Sequence, residues 1–288
     1  MRRPRSVTLS VVVPCYNEAD TISSCLEGLI SQDSFIDEII IVDNNSSDTT
    51  VATIKAYMEK HQKITLLHEK KQGVQFARNT GLSAANSDVI ARIDADTIVG
   101  KKWATALVDF YDTKIHNNVG AASGQTHYFD IPFPVITQFF TNLFTHLANQ
   151  KLADSHSIYG ANMSLRREAW QQIRSDVCMR SGIMEDQDLG YHIIQAGFST
   201  GYIAKAIAQV SGRRMRMSPL RYWRYNKQWW MTYENHGQHA EAARVRMMAW
   251  LGNVLQAVAW VGLSFHNPQT GKFSVAYLFA KKNEREIP

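Results

Sequence analysis

The sequence predicts an α/β fold in which a mainly parallel β-sheet is flanked by helices and followed by a helical C-terminal appendage. Short, nearly continuous apolar segments alternate along the first third of the chain with segments whose apolar residues recur every three or four positions. The first pattern is typical of strands buried on both faces, and the second of amphipathic helices. Polar clusters follow the apolar segments, which predicts candidate binding residues at one edge of the sheet.

The N-terminal unit carries this pattern clearly. Residues 8–13 form a β-branched, apolar run, which predicts a buried strand that ends in a polar loop. Ile22, Cys25, Leu26 and Leu29 are three or four residues apart, so they share one face of a predicted helix. Strand, loop and helix together make one repeating unit of a parallel α/β sheet.

The same unit recurs along the chain. Further strands are predicted at residues 38–42, 64–67 and 88–93, with amphipathic helices between them. Right-handed crossovers between parallel strands would bring the polar segments that follow three of these strands to one edge of the sheet. These segments are residues 14–18, 43–48 and 94–96. Their convergence predicts a nucleotide pocket.

Asp94 and Asp96 are the strongest candidate metal ligands, because both directly follow a predicted strand. Hard cations such as Mg²⁺ take oxygen ligands and commonly combine one or two carboxylates with substrate phosphates. The spacing alone is weak evidence, since Asp186 and Asp188 repeat it, and a pair of solvated turn aspartates is the alternative. The sequence contains neither Gly-x-Gly-x-x-Gly nor Gly-x-x-x-x-Gly-Lys-Ser/Thr, which argues against dinucleotide enzymes and ATPases.

Six motifs follow one another over about residues 8–205. They are Val13-Pro14-x-Tyr16-Asn17-Glu18, Glu38-Ile39-Ile40-Ile41-Val42-Asp43-Asn44-x-Ser46-x-Asp48, Gly73 with Ala77-Arg78-Asn79-x-Gly81, Asp94-x-Asp96, Gly160-Ala161-Asn162 and Glu185-Asp186. In this order they resemble the family-2 glycosyltransferases of GT-A fold. The resemblance implies an inverting hexosyl- or N-acetylhexosaminyltransferase that uses a nucleotide diphosphate sugar, with a UDP-sugar expected, and Mg²⁺ or Mn²⁺.

The resemblance also implies roles for individual residues. Those assigned to the donor and the metal are Pro14, Tyr16, Glu18 and Asp43 at the base and ribose, Arg78 near the nucleotide, Asp94 at the ribose and metal, and Asp96 at the metal. The chemistry agrees, since an aromatic ring can stack on a base and a carboxylate can accept its N–H. The alternatives are a turn aspartate at Asp43, a surface ion pair at Arg78 and a helix-dipole contact at Glu18.

Glu185 and Asp186 begin a predicted amphipathic helix, where the helix dipole favours ionised carboxylates. An ionised carboxylate can act as a base, and sugar transfer requires the acceptor hydroxyl to lose its proton. The family pattern implies that Asp186 is this base and that Glu185 supports it. Alternatively, both are helix-capping charges only.

Arg213 and Arg214 follow a predicted strand and are candidates for contact with the diphosphate. Processive members of the family carry Gln-x-x-Arg-Trp in this region. This chain has Arg221-x-x-Arg224-Tyr225 instead, so transfer of a single sugar is expected.

Charge is unevenly distributed. Residues 1–196 contain 18 basic and 22 acidic residues, a net charge of −4, whereas residues 197–288 contain 13 and 4, a net charge of +9. The basic residues of segment 205–227 lie near six aromatic residues, which suits a membrane interface or an anionic lipid-linked acceptor. Nucleic acid is not an expected partner, and a solvated face over packed aromatic rings is the alternative. Residues 249–265 fall short of the roughly 20 apolar residues that span a bilayer, so an interfacial helix, a dimer contact and a core helix remain open.

The remaining features bound the class of protein. Three widely spaced cysteines suit a reducing compartment, and the basic N-terminus leads into a strand rather than a secretory signal. We therefore expect a cytoplasmic protein, peripheral on the inner face of the membrane, and homo-oligomerisation stays open. The predicted domains are a nucleotide-sugar and catalytic domain over residues 1–212 and a helical basic and aromatic region over residues 213–288.

The expected reaction is transfer of one sugar to a hydroxyl of a glycan or lipid-linked intermediate in the synthesis of cell-surface polysaccharide or glycolipid. Two alternatives differ in class. A sugar-phosphate nucleotidyltransferase would carry a Gly-rich basic loop after the first strand, and residues 14–18 lack it. A non-catalytic nucleotide- or glycan-binding protein would not need Asp96 or Asp186, and both are present.

Overall fold

The computed structural model describes residues 7–132, 158–267 and 270–275. The strands are β1 (Leu9–Cys15), β2 (Glu38–Asp43), β3 (Ile64–His68), β4 (Val89–Ile93), β5 (Ile98–Val99), β6 (Val119–Tyr128), β7 (Asn162–Arg166) and β8 (Ser199–Val210). The α-helices are α1 (Ile22–Ile30), α2 (Thr50–Met58), α3 (Val74–Ala84), α4 (Trp103–Asp112), α5 (Arg167–Ile173), α6 (Glu185–Gln195), α7 (Pro219–Asn235) and α8 (His239–Ser264). Short 3-10 turns occur at Lys114–His116 and Arg213–Arg216, and the second is called the arginine turn below.

The described strands form one eight-stranded sheet in the order β3-β2-β1-β4-β7-β6-β8-β5. The first four strands of this order are parallel to one another, and β6 is parallel to β8. Strand β7 is antiparallel to both β4 and β6, and β5 is antiparallel to β8. The prediction of a mainly parallel sheet flanked by helices is confirmed.

Two apolar layers cover the sheet because successive side chains of a strand point to opposite faces. Val11 and Val13 belong to one layer, which also contains apolar residues of α1, α2 and α4. Val12 belongs to the other layer, which contains residues of α3, α5 and α6. Every residue of β1 is buried, which explains why its sequence is continuously apolar.

The sheet positions the site through the register of its strands. Cys15 at the end of β1 lies opposite Asp43 at the end of β2, and β4 runs parallel on the other side of β1. The loops that follow these three adjacent strands therefore share one edge. The antiparallel strand β7 begins at this edge, since Asn162 lies opposite Ile93. The residues before β7 thus come beside Asp94.

Helices α7 and α8 follow the arginine turn and pack on each other. Their contact contains a small buried cluster of Trp230, Ala242, Val245 and Ala249. A helical region after residue 212 agrees with the expected appendage, while the domain boundary itself stays a prediction. Residues 276–288 of that region lie outside the described residues.

Candidate active site

A cavity of about 180 Å³ opens at the carboxyl ends of β1, β2 and β4. Its walls come from the loops after these strands, the residues before β7, the first turn of α6, the arginine turn and α7. The residues that line it are Pro14, Cys15, Tyr16, Glu18, Asn44, Val74, Ala77, Arg92, Asp94, Ala95, Tyr159, Gly160, Ala161, Met184, Glu185, Asp186, Arg213, Arg214, Tyr225 and Gln228. The cavity lies where ligands bind in open parallel α/β sheets.

The cavity brings together most of the predicted site residues. Those that line it are Pro14, Tyr16, Glu18, Asp94, Glu185, Asp186, Arg213 and Arg214. Asp43, Arg78 and Asp96 are buried and do not line it. The wall therefore combines an aromatic ring, four carboxylates and guanidinium groups, a combination that suits an anionic ligand accompanied by a cation.

Arg92 joins two parts of the site. This residue is buried in β4, and its Nη2 lies 2.7 Å from Asp94 Oδ1, while its Nη1 lies 3.7 Å from Glu185 Oε1. Burial raises the pKa of Asp94, but the positive charges of Arg92, Arg214 and Arg213 outweigh burial and lower that pKa. The sequence analysis missed Arg92, although a charged residue inside the otherwise apolar strand Val89–Ile93 was a usable signal.

Asp186 is held in a defined orientation at the start of α6. The backbone N–H of Gly160 donates a hydrogen bond to Asp186 Oδ2 at 2.9 Å. Burial, and then the neighbouring charge of Glu185, raise the pKa of Asp186 to about 6. A carboxylate with this pKa is ionised at neutral pH yet basic enough to accept a proton from a reacting hydroxyl.

Gly160 must be a glycine for this arrangement. A Cβ atom at this position would lie 2.0 Å from Arg92 Nη1 and 3.2 Å from Asp186 Oδ2. The next residues of the motif have a structural role, because Asn162 accepts a hydrogen bond from Trp103 Nε1 at 2.8 Å and donates one to the carbonyl of Ala206 at 2.9 Å. The motif Gly160-Ala161-Asn162 thus orients Asp186 and also ties the sheet to α4.

Arg213 connects Asp96 to Glu18. Its Nε lies 3.3 Å from Asp96 Oδ2, and its Nη1 donates to Glu18 Oε1 at 2.9 Å. Burial raises the pKa of Asp96 to about 6 even though Arg213 opposes the shift. Asp94 and Asp96 offer hard oxygen ligands on the two sides of the loop after β4, so their chemistry fits Mg²⁺ or Mn²⁺. In this structure the positively charged guanidinium of Arg213 neutralises Asp96.

Arg214 adds positive charge to the cavity wall. Its guanidinium carbon lies 4.8 Å from the centre of the Tyr225 ring, a cation–π contact. Tyr159 lies on the same wall. The sequence analysis missed both tyrosines, because their place in the cavity depends on long-range packing of β7 and α7.

Asp43 and Arg78 lie behind the cavity wall. Asp43 accepts a hydrogen bond from the Ser46 N–H at 3.2 Å, and its other oxygen lies 3.3 Å from His68 Nδ1. Arg78 is fully buried, and its Nη1 and Nη2 have no hydrogen-bond partner among the described residues. Burial lowers the pKa of Arg78, while the charges of α6, led by Glu185, oppose that shift. Nucleotide contacts of Asp43 and Arg78 stay predictions.

A second polar cluster is centred on Asp188, in the same first turn of α6 as Asp186. Asp188 Oδ1 is 2.8 Å from His236 Nε2 and 3.7 Å from His192 Nε2, and Asp188 Oδ2 accepts a hydrogen bond from the Cys178 N–H at 2.7 Å. The Asp188, His192 and His236 ligand atoms lie within 4.8 Å of one another, close enough to hold one cation. Without a cation, the same contacts fasten the end of α7 to α6.

Comparison with known proteins identifies the family. The model of the family described as Glycosyl transferase family 2 matches residues 10–174, which is more than half of the chain. The glycosyltransferase YibD of Escherichia coli is 40% identical over 88 residues, 31% of this chain and 26% of that protein. The poly(ribitol-phosphate) β-glucosyltransferase of Bacillus spizizenii is 28% identical over 121 residues, 41% of this chain and 19% of that protein. The chain spans about a third or less of the length of such relatives.

Solved structures share the fold. The mannosyltransferase PcManGT of Pyrobaculum calidifontis, in complex with GDP-Man and Mn²⁺, superposes with a TM-score of 0.64 at 19% identity, over 95% of this chain and 79% of that one. Residues 1–349 of TarS of S. aureus, in complex with UDP-GlcNAc, give 0.54 at 15% identity, over 90% and 72%.

Family membership favours glycosyl transfer over the nucleotidyltransferase and the non-catalytic binding protein. The predicted motifs, the sheet topology and the family match agree. The chain belongs to glycosyl transferase family 2.

Proposed function

We propose that this enzyme is an inverting, metal-dependent glycosyltransferase that moves one sugar from a nucleotide diphosphate sugar to a hydroxyl of a glycan or lipid-linked acceptor. Its context would be cell-surface polysaccharide or glycolipid synthesis on the cytoplasmic side of the membrane. One observation carries the proposal: Asp186, whose pKa is raised to about 6, faces the same cavity as Asp94 and the arginine turn. A base and an anion-binding wall therefore share one cavity.

Asp186 acts as the base in this proposal. Above about pH 6 its carboxylate is ionised and can take the proton from the attacking acceptor hydroxyl. The Gly160 N–H donates to Asp186 Oδ2 and the Gln187 N–H donates to Asp186 Oδ1, so both carboxylate oxygens are held by the backbone. Glu185 stays beside Arg92 and sets the electrostatic environment of Asp186. In an inverting reaction no group of the protein forms a covalent bond to the sugar.

The guanidinium groups of the cavity stabilise the diphosphate that departs. Arg213 and Arg214 lie on the wall beside Asp94, so they can offset negative charge that develops on the leaving group. Asp94 and Asp96 would hold a divalent cation, which supplies further positive charge to the diphosphate. Arg213 already neutralises Asp96, so donor and cation binding requires this arginine to exchange partners.

The nucleotide is assigned to the loop after β1. Tyr16 offers its aromatic face to the base, with Pro14, Glu18 and Asp43 nearby. The structural relatives support a uridine or guanosine diphosphate sugar, since their complexes contain UDP-GlcNAc in one case and GDP-Man with Mn²⁺ in the other. A UDP-sugar is the preferred donor of this proposal.

The proposal is tested by the variant Asp186→Asn, assayed for Mn²⁺-dependent donor hydrolysis and for transfer. Loss of the base should lower turnover by about 10²- to 10⁴-fold while donor affinity stays nearly unchanged. Glu168→Gln is the matched control, because Glu168 is an exposed carboxylate in the first turn of α5, away from the cavity. Unchanged turnover in Asp186→Asn would remove the base assignment, and a product with retained anomeric configuration would exclude inversion.

A further inference from the structure

The outward face of α8 is apolar. Eight large apolar side chains of this helix are exposed, and some of them strongly, such as Met247 at 69% and Val258 at 72%. They are Met247, Met248, Trp250, Leu251, Val254, Leu255, Val258 and Val261. Their spacings of three and four residues place them along one side of the helix, called the apolar stripe below. Single exposed apolar residues are ordinary, but a continuous stripe marks an interaction surface.

The opposite face of α8 contributes polar contacts to the protein. Gln256 is buried, and its Nε2 donates hydrogen bonds to the carbonyls of Met215 and Met217 at 3.1 and 2.9 Å. Asn253 Oδ1 accepts a hydrogen bond from Asn226 Nδ2 at 3.2 Å. A helix on a water-exposed surface would turn such amides outward and its Val and Leu residues inward. The buried face of α8 combines Gln256 with small apolar residues and with Val245 and Leu263, while most of its large apolar side chains point outward, which indicates that the medium outside α8 is apolar.

The charged residues near the apolar stripe indicate which partner binds there. Arg224 and Lys227 of α7 and Arg246 of α8 are exposed, and residues 197–288 carry a net charge of +9. A second copy of the chain seated on the stripe would bring two strongly basic surfaces together, which is unfavourable. An anionic lipid bilayer offers acyl chains to the apolar stripe and negatively charged headgroups to these cations.

We propose that α8 lies in the interface of an anionic lipid bilayer, with its apolar stripe among the acyl chains. This proposal goes beyond the glycosyltransferase activity and does not depend on it. The helix has 26 residues, and an 18-residue stretch of it has a mean hydropathy of 1.3, so its length and composition would also allow it to cross a membrane. However, α7 packs along it and carries Arg224 and Lys227. A spanning arrangement would draw these cations toward the hydrocarbon, where charged side chains are strongly unfavourable.

The surface differs from the segment that the sequence suggested. The sequence predicts that the basic residues of segment 205–227 face a membrane interface; Arg224 and Lys227 of this segment are exposed on α7, whereas the arginines of the arginine turn contact the protein. Arg213 instead pairs with Glu18, Arg214 contacts Tyr225, and Arg216 donates hydrogen bonds to the carbonyls of Leu263 and His266 in and after α8. The arginine turn therefore joins the membrane-seated helix to the cavity.

Co-sedimentation with vesicles, without any donor present, tests the proposal. The vesicles are phosphatidylcholine alone or a mixture with phosphatidylglycerol, at low and high salt. We expect recovery with the anionic vesicles, weakened by salt because screening reduces attraction of the exposed cations. The triple variant Leu251→Ser, Val254→Ser, Val258→Ser should partition at least about tenfold more weakly, because buried apolar area drives interfacial binding.

Matched controls distinguish the loss of apolar surface from a loss of folding. The variant Leu251→Val, Val254→Leu, Val258→Leu keeps the surface apolar and should bind like the wild type. Quenching of Trp250 fluorescence by brominated lipid needs no destabilising change, and Trp250→Phe should remove most of that signal. The buried Trp103 is not expected to be quenched.

Three results would overturn the proposal. The first is wild-type protein left in the supernatant with every vesicle, as expected if another part of the chain covers the stripe. The second is equal binding by the wild type and the serine variant. The third is a dimer in sedimentation velocity that the serine variant dissociates, which would assign the stripe to a second copy of the chain.

Discussion

The pKa values of two partly buried carboxylates of the cavity are shifted in opposite directions. The pKa of Asp94 is lowered, because the charges of Arg92, Arg214 and Arg213 outweigh the effect of burial. The pKa of Asp186 is raised to about 6, because burial and the charge of Glu185 act in the same direction. Separate environments therefore suit two similar side chains to the two roles proposed for them, Asp94 as a metal ligand and Asp186 as a base.

Replacing Glu185 by Gln should shift the pH dependence of turnover. In the wild type, we expect kcat/KM to rise with pH as Asp186 loses its proton around pH 6. Glu185→Gln removes a negative charge that raises this pKa, so the rising limb should move to lower pH. The measurement is a pH profile of donor hydrolysis, with Glu168→Gln as the control. A rising limb that stays in place or moves to higher pH would contradict the effect of the Glu185 charge on the pKa of Asp186.

Replacing Gly160 by Ala should impair catalysis more than folding. The added Cβ would lie 2.0 Å from Arg92 Nη1, so Arg92 must leave its contacts with Asp94 and Glu185. We expect a loss of turnover of about 10- to 100-fold and a stability cost of about 1–3 kcal/mol.

Gly252→Ala is the control for this glycine, because an added Cβ there meets nothing within 4 Å and the residue lies inside α8. That variant should keep full activity and gain up to about 1 kcal/mol, since Ala favours a helix more than Gly does. Full activity of Gly160→Ala would show that the Arg92 contacts do not matter for turnover.

At the residue scale, the site residues that could be predicted are those at the end of a strand or at the start of a helix. Asp94 comes directly after a strand and Asp186 begins a helix, so sequence order alone located both. Arg92 could not be given a role, because its partner Glu185 is distant in the sequence and meets it only through tertiary packing. Asp43 was assigned to the nucleotide, yet its oxygens face Ser46 and His68 in the structure.

At the scale of elements, α6 carries both the base and the contacts that hold it in place. Asp186 faces the cavity, and Asp188 binds His236 at the end of α7 and the backbone of Cys178. Burial raises the pKa of Asp188, but hydrogen bonds led by that of His192 outweigh burial and lower it. The position of α6 relative to α7 therefore depends on the ionised form of one buried carboxylate.

Asp188→Asn should destabilise the protein in a pH-dependent way. A depressed pKa contributes stability that is present above the unfolded-state pKa and disappears as pH falls through the folded-state pKa. We expect the variant to lose about 1–3 kcal/mol near pH 7, with a difference from wild type that shrinks toward low pH. Unfolding followed from pH 7 down to about pH 2 measures this, because the pKa of Asp188 is lowered from its ordinary value of 3.8 and the loss therefore occurs below that value. Asp176→Asn, at an exposed carboxylate, should show little change, and a difference independent of pH would contradict the account.

The order of strands and helices along the chain could be predicted more completely than the pairing of the strands in the sheet. The parallel core β3-β2-β1-β4 follows from the alternation of apolar strands and amphipathic helices. The antiparallel insertion of β7 between β4 and β6 could not be read from periodicity, because it joins segments about 70 residues apart. That pairing places Gly160 next to Arg92, so the least predictable strand completes the site.

At the scale of the whole molecule, the acidic first part of the chain forms every described strand except β8 and most of the cavity, and the basic last part supplies β8, the arginine turn, α7 and α8. The turn connects the two, because Arg213 reaches Glu18 and Asp96 while Gln256 of α8 bonds to the carbonyls of Met215 and Met217. The charge asymmetry of the sequence predicted a second functional surface. Its location on α8 required the structure, because the exposure of each side chain is a tertiary property.

Calorimetric titration of a panel of UDP- and GDP-sugars, with Mn²⁺ or with EDTA, tests the central claim most directly. The account predicts that at least one donor binds in the presence of Mn²⁺ and that EDTA weakens its affinity. Asp96→Asn should lose the same metal-dependent part, about 10-fold or more, because a carboxylate ligand is removed without a change of shape. Asp109→Asn, at an exposed position of α4, is the control and should bind like the wild type. Binding of a donor with equal affinity in Mn²⁺, in EDTA and by Asp96→Asn would contradict the metal-dependent site.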